Sequence, residues 1–469
     1  MKDGLYSLKD TEKLTLKEVH QLHSKYINSS QYKILKKFSF GNDIFTKAKG
    51  MYLYTDKKKI LDFSGGIGVL NHGHNNQKIL NSRINFQKKN KMEVHKIFFS
   101  QYTVALASNI SKILSKNLTK SFFCNSGAES VEGSIKLAHK FHKGTRKYIA
   151  HSNISFHGKT IFSGNISGSL NNNPFPEFKN KLAFEFSNIN SLDRLIKKYR
   201  KKNNESNIYA IVIETFNNNL LRECSYEFIK YLRYITKKNK IILIFDEVYT
   251  GWGKTGYLFH YKKYKSIEPD IICLSKSMGG GKSSISAYVV NEYIYKKTYE
   301  NTNDAFLHTS TYNGFGEECA TAIEAINILI EDKLVENSYL QGNYLKSELS
   351  KLKENYSCID DIRGIGCIQG IVINLGNNKS IKNLIGEFPL LKNKMGLLKK
   401  LPAAAVSNFL YKNFNIFTVL NDNKSSTILY VAPSLIVNKK EIDYFISSLK
   451  ETLDKGIIKL ITSLLFKIL

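Results

Sequence analysis

Cysteine, proline and tryptophan are scarce in this sequence of 469 residues, which has six cysteines, six prolines and one tryptophan. The cysteines form no CxxC pair, so the sequence predicts neither a disulfide framework nor a metal site, and their scatter suits a reducing compartment. No stretch approaches about 18 apolar residues, and the first ten residues lack the apolar core of a signal peptide. These absences predict a cytoplasmic protein without a membrane span.

Acidic residues are also few relative to basic ones, and the formal net charge is +29. Such a charge is typical of proteins that meet nucleic acid, a membrane surface or an acidic partner. The lysines, however, are spread over many segments, such as residues 197–202 and 392–400, and form no basic motif with interleaved aromatic residues. We therefore expect no nucleic-acid binding, whereas an acidic carrier protein stays open as a partner.

The most informative stretch covers residues 240–282. Residues 241–245 form an apolar run of strand length, as in a buried parallel strand, and Asp246 follows directly. A second apolar run, residues 271–274, ends shortly before Lys276. Because ligands of open α/β sheets bind outside the carboxyl ends of the strands, we expect Asp246 and Lys276 to meet in one crevice.

An aspartate and a lysine in one crevice suit pyridoxal phosphate. Lysine forms a Schiff base with a carbonyl group, and a carboxylate keeps the pyridine nitrogen protonated, so that the ring can act as an electron sink. An ordinary salt bridge beside a glycine-rich turn explains the pair as well. Residues 281–283 resemble the end of a phosphate-binding P-loop, but that motif requires glycine at position 276, where this sequence has lysine.

A second segment, residues 121–143, predicts a strand followed by a capped helix. Ser126 and Glu129 have the spacing of a capping box, and Gly127 and Ala128 fall in the first helical turn. The free N–H groups and the dipole at such a helix start favour an anion, for example a phosphate group. A capped helix without a ligand accounts for the same pattern.

Other candidate contacts follow predicted strands. Residues 154–158 are predicted to end a strand that carries Phe156 and His157, and an aromatic ring there can stack on a planar ligand or pack in the core. Residues 209–213 form another buried-strand run that ends in Glu214, and the βαβ unit that follows places Glu214 beside Asp246. The hydroxyl groups of residues 309–311 either donate to a phosphate or belong to a turn.

Five segments in this order and spacing resemble one family: FFCNSGAESVEGSIKLA, FHGKT, FDEVYTGWGKTG, PDIICLSKSMGGG and HTSTYNG. They are similar to the class III, ornithine- and putrescine-type aminotransferases of pyridoxal-phosphate fold type I, over about residues 40 to 450. The resemblance implies an α/β fold with a large domain, whose mixed, mostly parallel sheet is flanked by helices, and a small α+β domain. We expect an N-terminal arm with part of the small domain in residues 1–65, the large cofactor-binding domain in 66–334 and the small domain in 335–469.

The resemblance implies a pyridoxal-phosphate-dependent aminotransferase that moves an amino group from an amine donor to a carbonyl acceptor by a ping-pong mechanism. The donor is a diamine, an ω-amino compound or an amino acid, and the enzyme is a homodimer with shared active sites. One alternative is an aminomutase or isomerase that uses the same cofactor. The other is a carrier-protein-associated or catalytically reduced module with this fold.

The resemblance also assigns residue roles. Lys276 forms the Schiff base and then carries the proton, while Asp246 bonds the pyridine nitrogen. Val248 packs on one face of the ring and Phe156 on the other. The remaining expected cofactor-binding residues are Ser126, Gly127 and Ala128 at the phosphate, Tyr249 at O3′, Thr311 of the neighbouring subunit at the phosphate, and His157, Glu214 and Ser310.

The sequence departs from the family pattern at three positions. Tyr249 stands where the family usually has glutamine, Asn219 where it has a second glutamate, and Tyr430 where it has an arginine. That arginine normally binds the α-carboxylate of the substrate, and the glutamate holds it when other amines bind. Joint loss of both avoids an unpaired buried charge, which costs about 3–5 kcal/mol. We expect altered carboxylate recognition, with Arg222 and Lys254 as candidate replacements.

Overall fold

The computed structural model describes residues 4–37, 39–168, 176–375, 395–422 and 427–468. We number the elements in chain order. The α-helices are Leu8–Thr11 (α1), Leu16–Tyr26 (α2), Ser29–Leu35 (α3), the distorted turn Gly65–Gly68 (α4), Gln77–Lys88 (α5), Gln101–Ile113 (α6), Gly127–Phe141 (α7), Ile161–Asn165 (α8), Ile189–Lys198 (α9), Tyr226–Lys238 (α10), Glu292–Tyr299 (α11), Gly316–Glu331 (α12), Leu334–Asn355 (α13), Met395–Phe414 (α14), Lys439–Asp454 (α15) and Ile457–Ile468 (α16).

Within the described ranges the strands form four sheets. They are Lys47–Lys49 (β1), Tyr52–Tyr54 (β2), Lys59–Asp62 (β3), Leu118–Cys124 (β4), Tyr148–Ser152 (β5), Lys181–Phe184 (β6), Ile208–Ile213 (β7), Phe216–Asn217 (β8), Arg222–Glu223 (β9), Ile242–Asp246 (β10), Ile271–Leu274 (β11), Ser286–Asn291 (β12), Ile359–Ile365 (β13), Ile368–Ile373 (β14), Ile416–Phe417 (β15), Val419–Asp422 (β16) and Thr427–Val431 (β17).

The central sheet has seven strands in the order β4-β12-β11-β10-β7-β5-β6. Strands β11, β10, β7, β5 and β6 pair in parallel, whereas β12 is antiparallel to both of its neighbours. Every residue of β7, β10 and β11 is buried, which explains why these strands are apolar runs without alternation. The predicted mixed, mostly parallel sheet flanked by helices is confirmed.

Helix α7 begins where the sequence predicts a capped helix. The side chain of Ser126 accepts a hydrogen bond from the backbone N–H of Glu129 at 3.2 Å. Val131, Ile135 and Ala138, at helical spacing, are buried between this helix and the central sheet. The cap and the apolar face together direct the start of the helix to the edge where β10 and β11 end.

The first and last parts of the chain meet in a smaller sheet of order β1-β2-β3-β15, in which β15 pairs in parallel with β3. A further four-stranded sheet has the order β13-β14-β17-β16 and is entirely antiparallel. Tyr430 lies in β17, next to Gly370 of β14 and Val419 of β16. This sheet therefore carries one of the three unusual positions.

The apolar C-terminal segment packs on the protein, because Leu460, Ile461, Leu464 and Leu465 of α16 are buried. Across the ranges described, no helix has the length and apolar character needed to cross a bilayer. One local prediction is wrong: residues 154–158 do not end a strand, because β5 ends at Ser152 and the residues from 153 to 160 form a loop. Most of the lysine-rich stretch at 376–400 lies outside the described residues.

Candidate active site

A cavity of about 380 Å³ lies at the carboxyl ends of β7, β10 and β11. Glu214 directly follows β7, Asp246 is the last residue of β10, and Lys276 is the second residue after the end of β11. All three side chains line this cavity. Parallel pairing of β10 with both neighbours brings the three strand ends to one edge, as the βαβ pattern predicts.

Asp246 is buried at the floor of the cavity and is held by two donors. Its Oδ2 lies 2.7 Å from Nδ1 of His157, which is also buried. Its Oδ1 accepts a hydrogen bond from the backbone N–H of Val248 at 3.0 Å. His157 is fixed in turn by the hydrogen bond from its backbone N–H to Oγ of Ser167 at 2.8 Å. These contacts orient the carboxylate within the site.

Lys276 adopts a backbone conformation that non-glycine residues rarely use, with φ of 48°. Such conformations cluster at functional sites, where the surrounding structure enforces them. Its Nζ donates a hydrogen bond to the carbonyl oxygen of Ile67 at 3.3 Å and lies 4.8 Å from the centre of the Tyr249 ring. Burial lowers the pKa of this lysine, and the carboxylates of Asp246 and Glu214 oppose that effect.

Glu214 connects the loops around the cavity. Its Oε2 accepts hydrogen bonds from the backbone N–H of Phe156 at 3.0 Å and from Nδ2 of Asn217 at 3.1 Å. The backbone N–H of Asn218 lies 3.4 Å from its Oε1. Burial raises the pKa of Glu214 to about 7; Asp246 adds to this rise and His157 reduces it. Glu214 thus holds the loop that presents Phe156 to the cavity.

The start of α7 forms one end of the cavity. Gly127 and Ala128 line it, and their backbone N–H groups belong to the first helical turn, which has no intrahelical acceptors. A Cβ atom at Gly127 would lie 2.8 Å from Cγ1 of Val248, so only glycine allows this close approach. Ser126 is not among the lining residues and acts as the helix cap.

The residues present fit pyridoxal phosphate, which the family resemblance implies. A helix start suits its phosphate, a buried carboxylate suits its ring nitrogen, and a lysine suits its carbonyl carbon. Phe156 and Val248 both line the cavity, and Phe156 remains 40% exposed. The Tyr249 hydroxyl group is buried and has no hydrogen-bond partner among the residues that the structure describes, so it can donate to a ring oxygen.

Ser310 and Thr311 lie away from this cavity within the single chain. Ser310 lines a second, larger cavity of about 580 Å³, together with Phe122 and His308. Lys136 fixes the neighbouring backbone through a hydrogen bond from Nζ to the Leu307 carbonyl oxygen at 2.8 Å. The structure of one chain therefore does not bring these two hydroxyl groups to Lys276.

The unusual positions lie close together. The Tyr430 hydroxyl group lies 3.3 Å from Oδ1 of Asn218, and its ring packs against Tyr249 with centroids 6.3 Å apart. Asn218 and Asn219 both line the cavity. The contact to Tyr430 is made by Asn218, the residue before the position that the family pattern indicated.

The two candidate replacements for the arginine are engaged elsewhere. Arg222 is exposed and forms an ion pair with Asp361 at 2.9 Å. Lys254 is completely buried, and its Nζ lies 3.3 Å from both the Asn71 side-chain oxygen and the Pro433 carbonyl oxygen. Neither residue lines the cavity.

Several lining residues were not assigned from the sequence: Ile67, Gly158, Phe216, Asn218, Thr250 and Ser275. Two features of the sequence could have indicated some of these residues. They are the glycine-rich segment around Ile67 and the three asparagines that come shortly after Glu214. The positions of their side chains depend on the packing of β17 and α4, which no local pattern specifies. In the described part of the chain, no group of three or more metal-ligating side chains could hold a metal ion.

Comparison with known proteins agrees with this geometry. The family described as aminotransferase class-III matches residues 40–453. The chain belongs to this family. It is 31% identical to an acetylornithine aminotransferase of Clostridium acetobutylicum, covering 78% of this chain and 92% of the relative. It is 28% identical to a putrescine aminotransferase of Pectobacterium atrosepticum, covering 93% and 89% respectively.

Solved structures show the same fold. The ornithine aminotransferase of Toxoplasma gondii has a TM-score of 0.78 at 18% identity, with 95% of this chain and 97% of that chain covered. A transaminase of the marine bacterium Virgibacillus has a TM-score of 0.78 at 22% identity, covering 89% and 93%.

The expected family, fold type I, enzyme class and cofactor are therefore confirmed. The protein is a pyridoxal-phosphate-dependent aminotransferase that moves an amino group from an amine to a carbonyl compound. The relatives support amino-group transfer over the isomerase and inactive-module alternatives.

Proposed function

We propose that Lys276 and Asp246 are the catalytic pair of this aminotransferase. The single observation that carries the proposal is their placement in one buried cavity with the N-terminus of α7. Gly127 and Ala128 would hold the cofactor phosphate through backbone N–H groups, with Ser126 fixing the helix start. Phe156 and Val248 would enclose the ring.

Each residue has a defined task in this proposal. Bound pyridoxal phosphate supplies an electron sink for the carbanion that forms when the substrate loses a proton. Lys276 would hold the carbonyl carbon of the cofactor and, once released, move a proton with Nζ; its lowered pKa suits a base. Asp246 would keep the ring nitrogen protonated, and His157 would orient Asp246. Tyr249 would donate its free hydroxyl group to O3′, and Glu214 would position Phe156.

The amino group would be transferred in two half-reactions, in a ping-pong order. The donor would give up its nitrogen and leave before the acceptor binds, because both substrates would need the same Lys276 in the same cavity. The whole reaction would thus be confined to the one cavity, which three acid–base groups line: Glu214, Asp246 and Lys276.

We also propose a homodimer. Large apolar side chains are exposed on two adjoining segments, with Phe98, Phe99 and Val104 on one and Phe306 and Tyr312 on the other. The segments are joined by the hydrogen bond from Thr103 Oγ1 to the Gly314 carbonyl oxygen at 3.0 Å. Exposed apolar patches of this kind mark protein interfaces.

The same surface carries Ser310 and Thr311, which do not line the cavity of their own chain. In a dimer these hydroxyl groups would reach the phosphate in the partner subunit.

We further propose that the domains have the predicted limits, at residues 65 and 334. We also propose a cytoplasmic location, with which the free cysteines of the structure are consistent. An acidic carrier protein stays a prediction.

The variant Lys276→Ala tests the catalytic proposal, with Lys282→Ala as its matched control six residues later and outside the cavity. We expect Lys276→Ala to lose the visible absorbance of lysine-bound cofactor and to lose activity by about a thousandfold or more. Lys282→Ala should retain both. An unchanged spectrum in Lys276→Ala would refute the proposal.

Mixed dimers test the shared site. Chains with Lys276→Ala and chains with Thr311→Asp, whose added carboxylate repels phosphate, are each expected to be inactive alone. If Thr311 serves the partner subunit, mixed dimers contain one site with native Lys276 and native Thr311, and activity returns. If Thr311 serves its own chain, no native site forms and mixing restores nothing. A monomer in size-exclusion chromatography would also overturn the dimer.

A further inference from the structure

A cluster of polar side chains surrounds Asp62, the last residue of β3. Oδ1 of Asp62 accepts hydrogen bonds from the backbone N–H of Ser64 at 2.7 Å and from the Ser64 hydroxyl group at 2.6 Å. Oδ2 lies 2.8 Å from Nε2 of His74. Asp62 and Ser64 are buried, and none of the three residues lines the Lys276 cavity. This cluster can therefore affect the site only through other residues.

Asp62 and Ser64 hold the α4 turn, which follows them in the chain. The hydroxyl oxygen of Ser64 accepts a hydrogen bond from the backbone N–H of Gly66 at 3.3 Å, while its proton is donated to Asp62. The carbonyl oxygen of Ser64 accepts a hydrogen bond from the backbone N–H of Ile67 at 3.0 Å. Asp62 thus orients the Ser64 side chain, and Ser64 fixes two N–H groups of the turn.

The backbone of this turn is unusual. All four residues from 65 to 68 have a positive φ, and Ile67, with φ of 56°, is the one that is not glycine. A β-branched residue in this region is strained, and it keeps the conformation only where the surrounding structure enforces it. A Cβ atom at Gly65 would lie 2.3 Å from the Ala432 carbonyl oxygen, so the turn also packs closely against the residue after β17. The conformation is imposed from two sides.

The turn presents one carbonyl group to the reactive lysine. Nζ of Lys276 donates a hydrogen bond to the Ile67 carbonyl oxygen at 3.3 Å, and both residues line the cavity. A lysine side chain has many rotamers, and ordering it costs conformational entropy. An acceptor in a fixed place reduces the number of positions that Nζ visits. The chain of contacts that starts at Asp62 therefore ends at Lys276.

We propose that Asp62 is a positioning residue for Lys276, which acts through Ser64 and the α4 turn. The proposal rests on the proposed function of Lys276. Whenever Lys276 is not bonded to the cofactor, its Nζ is held in the cavity by the Ile67 carbonyl oxygen. Each time a substrate amine takes the place of Lys276, the turn receives Nζ, so that the lysine stays available for proton transfer and for the return step.

The test separates the lysine from the rest of the cofactor site. Pyridoxal phosphate has an aldehyde, with which the Lys276 amine forms a C=N bond as water is released. Pyridoxamine phosphate has an amino group instead, so it keeps the phosphate and the ring but cannot form this bond. The rate at which visible absorbance appears after pyridoxal phosphate is added to cofactor-free enzyme measures the lysine reaction. Equilibrium dialysis with pyridoxamine phosphate measures the remaining contacts.

We expect Asp62→Ala to form the visible band about ten- to a hundredfold more slowly than the wild type, because Nζ loses its fixed acceptor. Its affinity for pyridoxamine phosphate should stay unchanged. Asp62→Asn should recover most of the rate, since its amide oxygen can still accept from Ser64 and its NH₂ group can donate to His74. An unchanged rate in Asp62→Ala, or a rate and an affinity that fall by the same factor, would overturn the positioning role.

Ser64→Ala is a smaller change, which removes the hydroxyl group and keeps Asp62. It should also slow the band at unchanged affinity, and it tests the proposal even if Asp62→Ala does not fold. A wild-type rate in Ser64→Ala would refute the path through Ser64.

Asp43→Ala is the matched control. Asp43 accepts hydrogen bonds from Nζ of Lys58 at 3.0 Å and from the Tyr411 hydroxyl group at 2.7 Å, and not from the turn. This variant should keep the wild-type rate. If it slows the band as much as Asp62→Ala does, the effect of Asp62 is one of general stability, and the positioning role is refuted.

These outcomes differ from a failure of the proposed function. If the wild type forms no visible band that Lys276→Ala lacks, Lys276 is not the reactive lysine, and both proposals fail. If that band forms and the Asp62 variants leave its rate unchanged, the catalytic pair stands and only the positioning role is lost.

Discussion

His157 and Asp246 form a buried contact in which Nδ1 of the imidazole lies 2.7 Å from Oδ2 of the carboxylate. The two residues are 89 positions apart in the chain, and the contact forms because the loop after β5 crosses the end of β10. Since Asp246 also accepts a hydrogen bond from Val248, its orientation in the cavity is fixed on both oxygens.

This arrangement predicts that substitution of Asp246 lowers kcat more than substitution of His157 does. Asp246→Asn removes the charge that stabilises the protonated ring nitrogen, and kcat should fall by about a hundred- to a thousandfold. His157→Phe removes only the group that orients the carboxylate, and kcat should fall by about tenfold. His157→Asn, whose amide can still donate to Asp246, should recover most of that loss. If His157→Asn and His157→Phe behave alike, His157 does not act by orienting Asp246.

The raised pKa of Glu214 predicts that the stability of the folded protein depends on pH. Burial raises the pKa of Glu214 to about 7 in the folded protein, so between about pH 4.5 and 7 the folded state keeps a proton that the unfolded state has lost. The contribution of Glu214 to the free energy of unfolding therefore falls as pH rises through this window, by about 3 kcal/mol in total.

The variant Glu214→Gln isolates this effect because glutamine stays neutral at every pH. Relative to the wild type, its free energy of unfolding should increase between about pH 4.5 and 7 and then become constant. Denaturant unfolding at intervals of half a pH unit measures the difference. A difference that does not vary with pH in this window would contradict the raised pKa.

Much of the fold follows from local patterns. The apolar runs of β7, β10 and β11 predict buried parallel strands, and the rule for strand ends then brings Glu214, Asp246 and Lys276 to one edge. The Ser126 cap predicts the start of α7 within one residue. These features depend on neighbours in sequence, and so the sequence is sufficient to predict them.

Contacts between distant segments were not predictable in this way. Tyr430 and Asn218 are 212 residues apart, and their contact depends on how the β13-β14-β17-β16 sheet packs against the loop after β7. The family pattern pointed to Asn219, one residue away. A shift of one position changes which side chain faces a neighbour, and sequence spacing alone does not resolve it.

The close approach of Gly68 to Tyr249 predicts that a larger residue at position 68 would displace the tyrosine ring. The φ of Gly68 is 84°, and a Cβ atom there would lie 2.7 Å from Cε2 of the Tyr249 ring. Gly456 has a similar φ of 82° but no atom within 4 Å of a Cβ. Both alanine variants incur the cost of a left-handed conformation, about 1–2 kcal/mol, but only Gly68→Ala also displaces the tyrosine.

We expect Gly68→Ala to be about 1–3 kcal/mol less stable than Gly456→Ala in denaturant unfolding, because of the added overpacking. Since Tyr249 lines the cavity, Gly68→Ala should also lower kcat, whereas Gly456→Ala should leave it unchanged. Equal stability and equal activity of the two variants would mean that the ring moves aside without cost.

The lowered pKa of Lys254 predicts that the stability of the protein also depends on pH in the alkaline range. Its contribution has the opposite sign to that of Glu214. Complete burial lowers the pKa of Lys254 to about 8, so the folded protein loses this proton near pH 8 while the unfolded chain keeps it to about pH 10.5. In that window the unfolded state binds more protons, and the contribution of Lys254 to the free energy of unfolding rises with pH, by about 3 kcal/mol in total.

Two variants separate this titration from lost contacts. Lys254→Met carries no charge and Lys254→Arg keeps its charge, so neither should show the rise. Relative to each of them, the wild type should gain about 3 kcal/mol between pH 8 and 10.5 in denaturant unfolding. Lys254→Arg should be less stable than Lys254→Met throughout, because its buried charge is permanent. If the wild type shows no gain over Lys254→Met, Lys254 keeps its proton in the folded protein, and the Asn71 and Pro433 oxygens suffice to hold a buried ammonium group.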